Sequence, residues 1–332
     1  MDNTYKSAGV DIEAGEETIK KIKGFAQSTF NDNVISSLGL FGGFYELDLS
    51  NCKNPVLVSS VDGVGTKLKI AFAMDKHNTI GHDLVNHCVN DIAVCGAKPL
   101  YFLDYLAFGK LNPDKATKII EGFSLACKQN GCALIGGEIA EMPGLYADNE
   151  YDMSGTIVGI VDKSKIINGK DIKKGDILIG FPSDGLHTNG YSLAREVLLK
   201  KYNLDDKFDG LDETLGDELL RVHKSYFKLI NLLLEKSNVK GFSHITGGGI
   251  IGNTKRILHD NLSLKIFWDE WEVPAIFKLI QECGDISNEE MRHVFNLGIG
   301  LIGVVNKNDV DETFRVANTV NEHPLVIGEV TG

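Results

Sequence analysis

The feature that most constrains this chain is a strand-forming run that ends in a glycine-rich, acidic loop. Residues 56–61 follow Pro55 and consist of Val, Leu and Ser, a composition that favours a buried strand. Residues 62–67 then read Asp-Gly-Val-Gly-Thr-Lys. Two glycines two positions apart let main-chain N–H groups approach an anion, while Asp62 suits a hard cation and Lys67 suits phosphate oxygens. The loop therefore predicts a site for a metal-bound polyphosphate, with a tight surface turn as the alternative.

The same arrangement recurs farther along the chain. An apolar strand at residues 132–135 leads into Gly136, Gly137 and Glu138, so paired glycines and a carboxylate again follow a strand. The first loop matches neither common phosphate-binding pattern, because the Walker pattern requires Lys and then Ser or Thr after its last glycine and the dinucleotide fingerprint requires a third glycine at the position of Leu68. Two such loops at neighbouring strand ends favour a shared metal and phosphate site over turn chemistry alone.

A predicted helix over residues 78–96 carries a stripe of oxygen ligands with one imidazole. Asp83, His87, Asn90 and Asp91 recur at helical spacing opposite an apolar side. This stripe lacks lysine and arginine, which favours a role facing a metal, although a solvated helix face is the alternative. Asp104, inside the next predicted strand, is a weaker candidate, because a carboxylate there needs a cation or donors to offset its burial.

The second half of the chain contains two polar loops that each precede a helix. One runs from residue 182 to residue 195 and includes His187, Asn189 and Ser192, so it predicts a phosphate-binding loop at a helix start. The alternative is that Asn189 only caps that helix. The other loop contains Thr246, Gly247, Gly248 and Gly249, and three consecutive glycines favour close approach of a ligand.

Composition and charge limit the class of protein. The chain has 332 residues and a formal charge of -12, which argues against nucleic-acid and anionic-membrane partners. Its six cysteines form no CxxC pair, as is typical of a reducing compartment, and no run is long and apolar enough to cross a membrane. We expect a cytoplasmic protein of two domains, residues 1–170 and 171–332, divided in the polar segment 162–175.

Together these stretches resemble the phosphoribosylformylglycinamidine cyclo-ligase (aminoimidazole ribonucleotide synthetase) family over nearly the whole chain. The matching stretches are residues 8–11 (Ala-Gly-Val-Asp), 62–67, 90–91 (Asn-Asp), 136–144 (Gly-Gly-Glu-Ile-Ala-Glu-Met-Pro-Gly), 187–192 (His-Thr-Asn-Gly-Tyr-Ser), 244–249 (His-Ile-Thr-Gly-Gly-Gly) and 295–300 (Phe-Asn-Leu-Gly-Ile-Gly). Each motif alone is a modest signal, whereas their joint order and spacing are specific.

The resemblance implies an α/β (α+β) fold of two domains. The N-terminal domain would bind ATP and pair its sheet across a homodimer, and the C-terminal domain would complete the active-site cleft. The implied reaction converts formylglycinamidine ribonucleotide and ATP into 5-aminoimidazole ribonucleotide, ADP and phosphate in purine biosynthesis, with Mg²⁺ as the metal.

The resemblance also implies roles for individual residues. The expected Mg²⁺ ligands are Asp62, Asp91 and Glu138, and the expected catalytic residues are His187, Asp62 and Lys67, with His187 handling a proton or stabilising an imidate. The residues expected to contact nucleotide or substrate phosphates are Gly63, Val64, Gly65, Thr66, Lys67, Gly136, Gly137, Asn189, Ser192, Thr246, Gly247, Gly248 and Gly249.

Other functions share parts of this pattern. An ATP-dependent kinase acting on a small phosphorylated metabolite is the main alternative, and a nucleotide-binding protein without turnover is another. Selenophosphate synthetase and a hydrogenase-maturation protein fit less well, because the first cysteine is Cys52 and the last is Cys283. Formation of ADP without an imidazole product would favour the kinase, and formation of neither would favour the binding protein.

Overall fold

The computed structural model describes residues 4–332, which divide into two compact units. The first unit contains the residues up to Ile92 together with Lys98–Lys163, and the second contains Ala93–Ala97 and Ser164–Gly332. The main division falls within the polar segment 162–175, a few residues before the predicted limit at 170. The functions expected of the two domains stay predictions.

The first unit combines four helices with one four-stranded sheet. The helices are α1 (Ile12–Gln27), α2 (Leu68–Met74), α3 (Asn78–Ala93) and α4 (Pro113–Asn130). The strands are β1 (Pro55–Asp62), β2 (Lys98–Phe108), β3 (Ala133–Glu141) and β4 (Tyr151–Asp162). Their order is β1-β4-β2-β3, in which β4 is antiparallel to both β1 and β2, and β2 is parallel to β3.

Register places one row of residues across this sheet at the level of Asp62. Asp62 pairs with Gly155 of β4, Gly155 pairs with Asp104 of β2, and Asp104 pairs with Gly137 of β3. Paired residues in a sheet project to the same face. The sheet therefore brings Asp62 and Asp104 to one face, with two glycines in the same row.

Local sequence signals account for the boundaries of α4. The side chain of Asn112 accepts hydrogen bonds from the main-chain N–H groups of Asp114 and Lys115, and Pro113 occupies the first turn. Gly131 ends the helix in the left-handed conformation. The cap, the proline and the glycine that ends the helix can each be read directly from the sequence.

Helix α3 is buried on its polar side as well as on its apolar side. Leu84 and Cys88 of the apolar side are fully buried, and so are Asp83 and Asn90 of the polar stripe. His87 is also buried, whereas Asp91 is half-buried. The alternative of a solvated helix face is therefore wrong.

Strand β3 is longer than the sequence predicted. Gly136, Gly137 and Glu138 lie inside it and pair with β2, so the expectation that they form a second loop is wrong. A Cβ atom on Gly137 would come within 2.2 Å of Asp104 Oδ1. Gly137 is therefore explained by close packing of a neighbouring carboxylate within the sheet.

The second unit is built on a five-stranded sheet in which every paired strand is antiparallel. Its strands are β5 (Ile177–Pro182), β6 (Val239–His244), β7 (Ser263–Ile266), β8 (Ile299–Val305) and β9 (Leu325–Thr331), in the order β6-β8-β5-β9-β7. Its helices are α5 (Tyr191–Leu198), α6 (Leu215–Leu219), α7 (Phe227–Lys236), α8 (Gly249–Lys255), α9 (Ala275–Gly284), α10 (Asn288–Val294) and α11 (Val310–Asn318).

Both faces of this second sheet are covered. Phe181 of β5 packs in one cluster with Leu229 of α7 and Val316 of α11. Leu178 of the same strand packs in another cluster with Ile250 of α8. Burial on both faces explains why β8 reads as an unbroken run of apolar residues and glycine. Within residues 4–332, no helix has the length and apolar character needed to span a membrane.

Candidate active site

The loop after β1 has the arrangement that the sequence predicted. Asp62 is the last residue of β1, and a short 3₁₀ helix at Gly65–Lys67 leads directly into α2. Gly65 has a φ of +56°, which a residue with a Cβ adopts only under strain. Val64 is buried, whereas Gly65 is exposed and Thr66 is half-buried. The loop is therefore held by Val64 and presents main chain at Gly65.

Lys67 does not face outward from this loop. Its side chain is fully buried, and its Nζ lies 2.9 Å from Oδ1 and 2.8 Å from Oδ2 of Asp83 on α3. Burial lowers the pKa of Lys67, and the charge of Asp83 opposes that effect. The expectation that this amine contacts phosphate directly is corrected, because the ammonium group is directed into the unit and ties the loop to α3.

Asp62 and Asp91 converge around His87. The Nε2 atom of His87 lies 3.2 Å from Oδ2 of Asp62, and Ser60 Oγ donates a hydrogen bond of 3.0 Å to Asp91. His87 and Asp91 offer ligand atoms within 4.8 Å of each other. Burial lowers the pKa of His87, but Asp62, followed by Asp91 and Asp83, outweighs it, so this pKa is raised. Negative charge is thus concentrated at the end of β1.

Glu138 lies away from the other two acids that were expected to bind the same ion. It is exposed on β3, at the opposite edge of the sheet from Asp62 on β1. Three strand spacings separate those edges, which is roughly 14 Å at about 4.8 Å per strand. Glu138 also pairs with Tyr105, one position beyond the row of Asp62, so it projects to the opposite face. The expectation that Asp62, Asp91 and Glu138 surround one ion within a subunit is therefore wrong.

Asp62 and Asp91 remain the candidate Mg²⁺ ligands without Glu138, since each lies beside His87. Mg²⁺ in nucleotide sites takes one or two protein carboxylates and completes its octahedron with water and phosphate oxygens. Asp62 is 37% exposed at its side chain, so an ion can reach it, and it stands directly before the glycine loop. Asp104 shares the face of Asp62 but is two strands away and buried, which excludes it from the same coordination sphere.

In the second unit, His187 lies in the loop between β5 and α5 and is fully buried. Its φ is +61°, a left-handed conformation that is uncommon outside glycine. The main-chain N–H of Asp184 donates a hydrogen bond of 3.2 Å to His187 Nε2. Because that nitrogen accepts, the neutral ring carries its proton on Nδ1.

The same loop brings Asn189 and Ser192 to the start of α5. The N-cap of α5 is Gly190, so the alternative that Asn189 caps this helix is wrong. The Nδ2 atom of Asn189 is buried and has no hydrogen-bond partner among residues 4–332. A Cβ atom on Gly247 would lie 3.3 Å from Asn189 Oδ1, so this loop contacts the triple-glycine loop. Ser192 is exposed in the first turn of α5.

The loop from Thr246 to Gly249 is held from inside by Asn253, a residue that sequence reasoning missed. The Nδ2 atom of Asn253 donates hydrogen bonds to the main-chain carbonyls of Thr246, Gly247 and Gly249 at 3.1, 3.2 and 2.9 Å. One amide therefore turns three carbonyl oxygens, which would repel an anion, toward the helix. The one feature of the sequence that could have indicated this role is the position of Asn253, one helical turn after the glycines.

A cavity of about 540 Å³ opens beside this glycine loop within the second unit. Gly248 and Gly252 contribute main chain to its wall, and Lys255 and Arg292 contribute positive charge. The guanidinium carbon of Arg292 lies 4.2 Å from the centre of the Trp268 ring, so the aromatic face holds this cation in place. One acid, Glu289, also lines the wall, and the two cations outnumber it, so the cavity suits an anionic group such as a phosphate.

Family comparisons agree with this two-unit arrangement. The N-terminal domain of AIR synthase related proteins matches residues 49–161, and the C-terminal domain of AIR synthase related proteins matches residues 173–332. The fold is therefore that of the AIR synthase related class.

Full-length relatives define the family more narrowly. The chain is 50% identical over 332 residues to phosphoribosylformylglycinamidine cyclo-ligase of Alkaliphilus oremlandii (strain OhILAs), covering 99% of this chain and 97% of that protein. It is 51% identical over 328 residues to the protein of the same name from Thermoanaerobacter sp. (strain X514), covering 98% and 97%. The chain belongs to the phosphoribosylformylglycinamidine cyclo-ligase family.

Solved structures with the same fold are more distant in sequence. Thiamine-monophosphate kinase from Stenotrophomonas maltophilia K279a superposes with a TM-score of 0.70 at 16% identity, covering 95% of this chain and 93% of that one. Hydrogenase maturation protein HypE in complex with ATP gives 0.67 at 17% identity, covering 96% and 86%. These similarities establish the fold.

Proposed function

We propose that this protein is an ATP-dependent cyclo-ligase that converts formylglycinamidine ribonucleotide into 5-aminoimidazole ribonucleotide, with release of ADP and phosphate. The observation that supports this most strongly is identity of about half to the named cyclo-ligases over 99% of the chain. The partly exposed carboxylate of Asp62, placed directly before a glycine loop, is suited to handling a nucleotide triphosphate. A place in purine biosynthesis and a cytoplasmic location are part of the same proposal.

The reaction requires activation of a poor leaving group. The formyl oxygen attacks the γ-phosphorus of ATP, the bond from that phosphorus to the bridging oxygen breaks, and ADP leaves. The amidine nitrogen then attacks the formyl carbon, the ring closes with loss of a proton, and the oxygen departs as inorganic phosphate. Catalysis consists of aligning the groups and stabilising the charge that develops on the transferred phosphoryl group.

The residues of the first unit bind and align the triphosphate in this proposal. Asp62 and Asp91 hold Mg²⁺, which when bound neutralises charge on the phosphate oxygens. The main chain of residues 63–66 lies against the phosphates, and Lys67 supports the loop through Asp83. Gly136 and Gly137 remain candidates for contact with the nucleotide only through their main chain, since they lie within β3.

The second unit supplies the groups proposed to act on the substrate. His187 handles the proton released on ring closure or stabilises the imidate, and Asn189 orients the substrate through its buried amide. The triple-glycine loop and the cationic cavity beside it receive the substrate phosphate. Ser192 extends this phosphate-binding region at the exposed start of α5.

We propose a homodimer in which the open face of the first sheet meets a second copy. Exposed and half-buried residues alternate along β1, and Leu57 and Val61 on its open side are 56% and 64% exposed. Tyr105, on the corresponding face of β2, is 39% exposed. Glu138 projects to this face, so its carboxylate acts at a site that the partner copy completes rather than at the ion of its own Asp62.

The activity is tested by incubating purified protein with ATP, Mg²⁺ and formylglycinamidine ribonucleotide. We expect ADP and 5-aminoimidazole ribonucleotide in a ratio of one to one, measured by coupled ADP detection and by diazo coupling of the aminoimidazole. A kinase is the second candidate, favoured by the fold of thiamine-monophosphate kinase. ADP with a phosphorylated acceptor and without an imidazole would establish that candidate and contradict the cyclo-ligase.

A further inference from the structure

Three histidines from distant parts of the sequence meet in a buried cluster in the second unit. His187 follows β5, His223 precedes α7, and His244 ends β6. Each offers a ring nitrogen within 4.8 Å of the others, and all three rings are buried. His187 and His244 belong to two of the family motifs, whereas His223 stands in no motif and was not singled out from the sequence.

His223 contacts both motif segments. Its ring stacks on that of His187, with centroids 4.1 Å apart and an interplanar angle of 21°. Its Nδ1 lies 3.2 Å from Thr188 Oγ1, and its Nε2 lies 3.0 Å from His244 Nε2. His223 therefore joins the loop that carries His187 to the strand that leads into the triple-glycine loop.

The two hydrogen bonds of His223 are coupled. Of two imidazole nitrogens in a hydrogen bond, one carries the proton and the other accepts it. If neutral His223 donates from Nε2, its Nδ1 accepts from the Thr188 hydroxyl. If His244 donates instead, His223 carries its proton on Nδ1 and donates to Thr188. The tautomer of His244 is therefore set together with the direction of the Thr188 hydroxyl.

We propose that His223 is a positioning residue for the ring-closing reaction, which holds the ring plane of His187 and fixes the tautomer of His244. This inference rests on the proposed function, because it assumes that His187 acts on the substrate. A general acid or base works only when its ring is aligned with the proton that it transfers. Loss of His223 then lowers turnover more than it weakens substrate binding.

A transition-metal site is the competing use of three clustered imidazoles, but the arrangement favours the hydrogen-bonded network. Both nitrogens of His223 are already engaged, one with Thr188 and one with His244. The stacked rings of His187 and His223 lie nearly parallel, whereas ligands of a tetrahedral ion point inward from different directions.

Two substitutions separate the two contacts of His223. An Asn amide reaches the position of Nδ1 and a Gln amide reaches that of Nε2, so His223→Asn keeps the bond to Thr188 and His223→Gln keeps the bond to His244. The exposed His323, in the same unit, provides the control His323→Gln. Thermal unfolding verifies that each variant is folded.

We expect both His223 variants to lower kcat by about 10- to 100-fold while the KM values for ATP and substrate change less than about threefold. In ¹⁵N-histidine NMR spectra of the free protein, the ring nitrogens of His244 should shift in His223→Asn and stay near their native values in His223→Gln. The control should leave both kcat and the spectra unchanged.

Wild-type kcat in both variants together with unchanged His244 signals would overturn the inference and reduce His223 to packing. Binding of one Zn²⁺ from ZnCl₂ by the native protein, abolished in both variants, would replace it with a metal site. An inactive native protein would contradict the proposed function instead. In that case the NMR shifts, which need no substrate, still decide whether His223 orders its neighbours.

Discussion

Asp62 occupies the position where strand, glycine loop and acidic helix meet. Its carboxylate lies against His87 and is followed at once by Gly63, and Asp91 of α3 lies beside the same histidine. Because the side chain is partly exposed, a cation can reach its charge, and His87 is the group with which that cation would compete. This residue therefore carries the largest expected effect on catalysis in the first unit.

We predict that Asp62→Asn lowers kcat by roughly 10²–10³, the loss typical of one electrostatic stabiliser in an active site. The Mg²⁺ concentration needed for half-maximal rate should rise in the same variant, because one carboxylate ligand is lost. The matched control is Asp32→Asn, an exposed acid of the same unit. Steady-state rates across a Mg²⁺ titration provide the measurement, and native rates in Asp62→Asn would remove it from the site.

Asp104 has a different role, because its carboxyl is buried in the sheet. Burial raises its pKa from 3.8 to about 7, with a smaller contribution from the negative charge of Glu138. A carboxyl whose pKa is higher in the folded state than in the unfolded chain stabilises the fold at low pH. That stability is lost as the pH rises from about 4 to about 7.

We therefore predict that Asp104→Asn gains stability over the native protein at pH 8 and loses that advantage near pH 4. The raised pKa of Asp104 corresponds to a difference on the order of 1–4 kcal/mol in the free energy of unfolding, because one pKa unit corresponds to about 1.4 kcal/mol. Urea denaturation at several pH values gives the measurement. If Asp104→Asn and the native protein were equally stable at pH 8, the sheet would stabilise the ionised carboxylate, and the prediction would be wrong.

At the scale of elements, the buried ion pair of Lys67 and Asp83 connects the phosphate loop to α3. Both side chains are fully buried. The same helix carries Asp91, so the pair fixes the spacing between the glycine loop and the proposed metal ligand. Removing one member of a buried pair leaves the other charge with less compensation, which is more costly than losing an exposed pair.

We predict that Lys67→Met lowers the free energy of unfolding by about 3–5 kcal/mol, whereas replacing both Lys67 and Asp83 with apolar residues recovers part of it. Lys69→Met is the matched control, because Lys69 lies two residues after Lys67 and forms a partly exposed pair with Glu150, so its loss should cost about 1 kcal/mol or less. Urea denaturation compares the three variants. Similar losses for Lys67→Met and Lys69→Met would contradict the structural role of the buried pair.

Local signals in the sequence predicted the bounds of helices better than they predicted which strands and side chains pair with each other. The caps of α4 act within a few residues, so Asn112 and Gly131 could be recognised directly. The extension of β3 through Gly136 and Gly137 depends on pairing with β2, and no neighbouring residue signals it. The side-chain direction of Lys67 depends on Asp83, sixteen positions later, which sequence alone does not connect.

At the scale of the whole molecule, the order of strands decides which acids can act together. The sequence predicted a site that contains both Asp62 and Asp91; each lies beside His87, and their coordination of one ion stays a prediction. It could not supply the strand order β1-β4-β2-β3, which puts Glu138 at the far edge. Cyclo-ligase membership was predictable, since several ordered motifs are specific jointly even where single motifs are not.

The open face of the first sheet leads to a prediction about assembly. Leu57→Lys places a charge on this face and should convert the proposed dimer into a monomer, because burying an unpaired charge disfavours the interface. Leu125→Lys is the matched control, on a residue of α4 that is 46% exposed. Size-exclusion chromatography with light scattering reports the mass, and a native protein that is monomeric at micromolar concentration would contradict the interface.

The path of one oxygen atom tests the account most directly. Formylglycinamidine ribonucleotide labelled with ¹⁸O in the formyl group is converted with unlabelled ATP, and the released inorganic phosphate is examined by mass spectrometry. If the formyl oxygen is phosphorylated before the ring closes, each phosphate formed carries one ¹⁸O atom. Unlabelled phosphate beside a normal yield of 5-aminoimidazole ribonucleotide would contradict this mechanism.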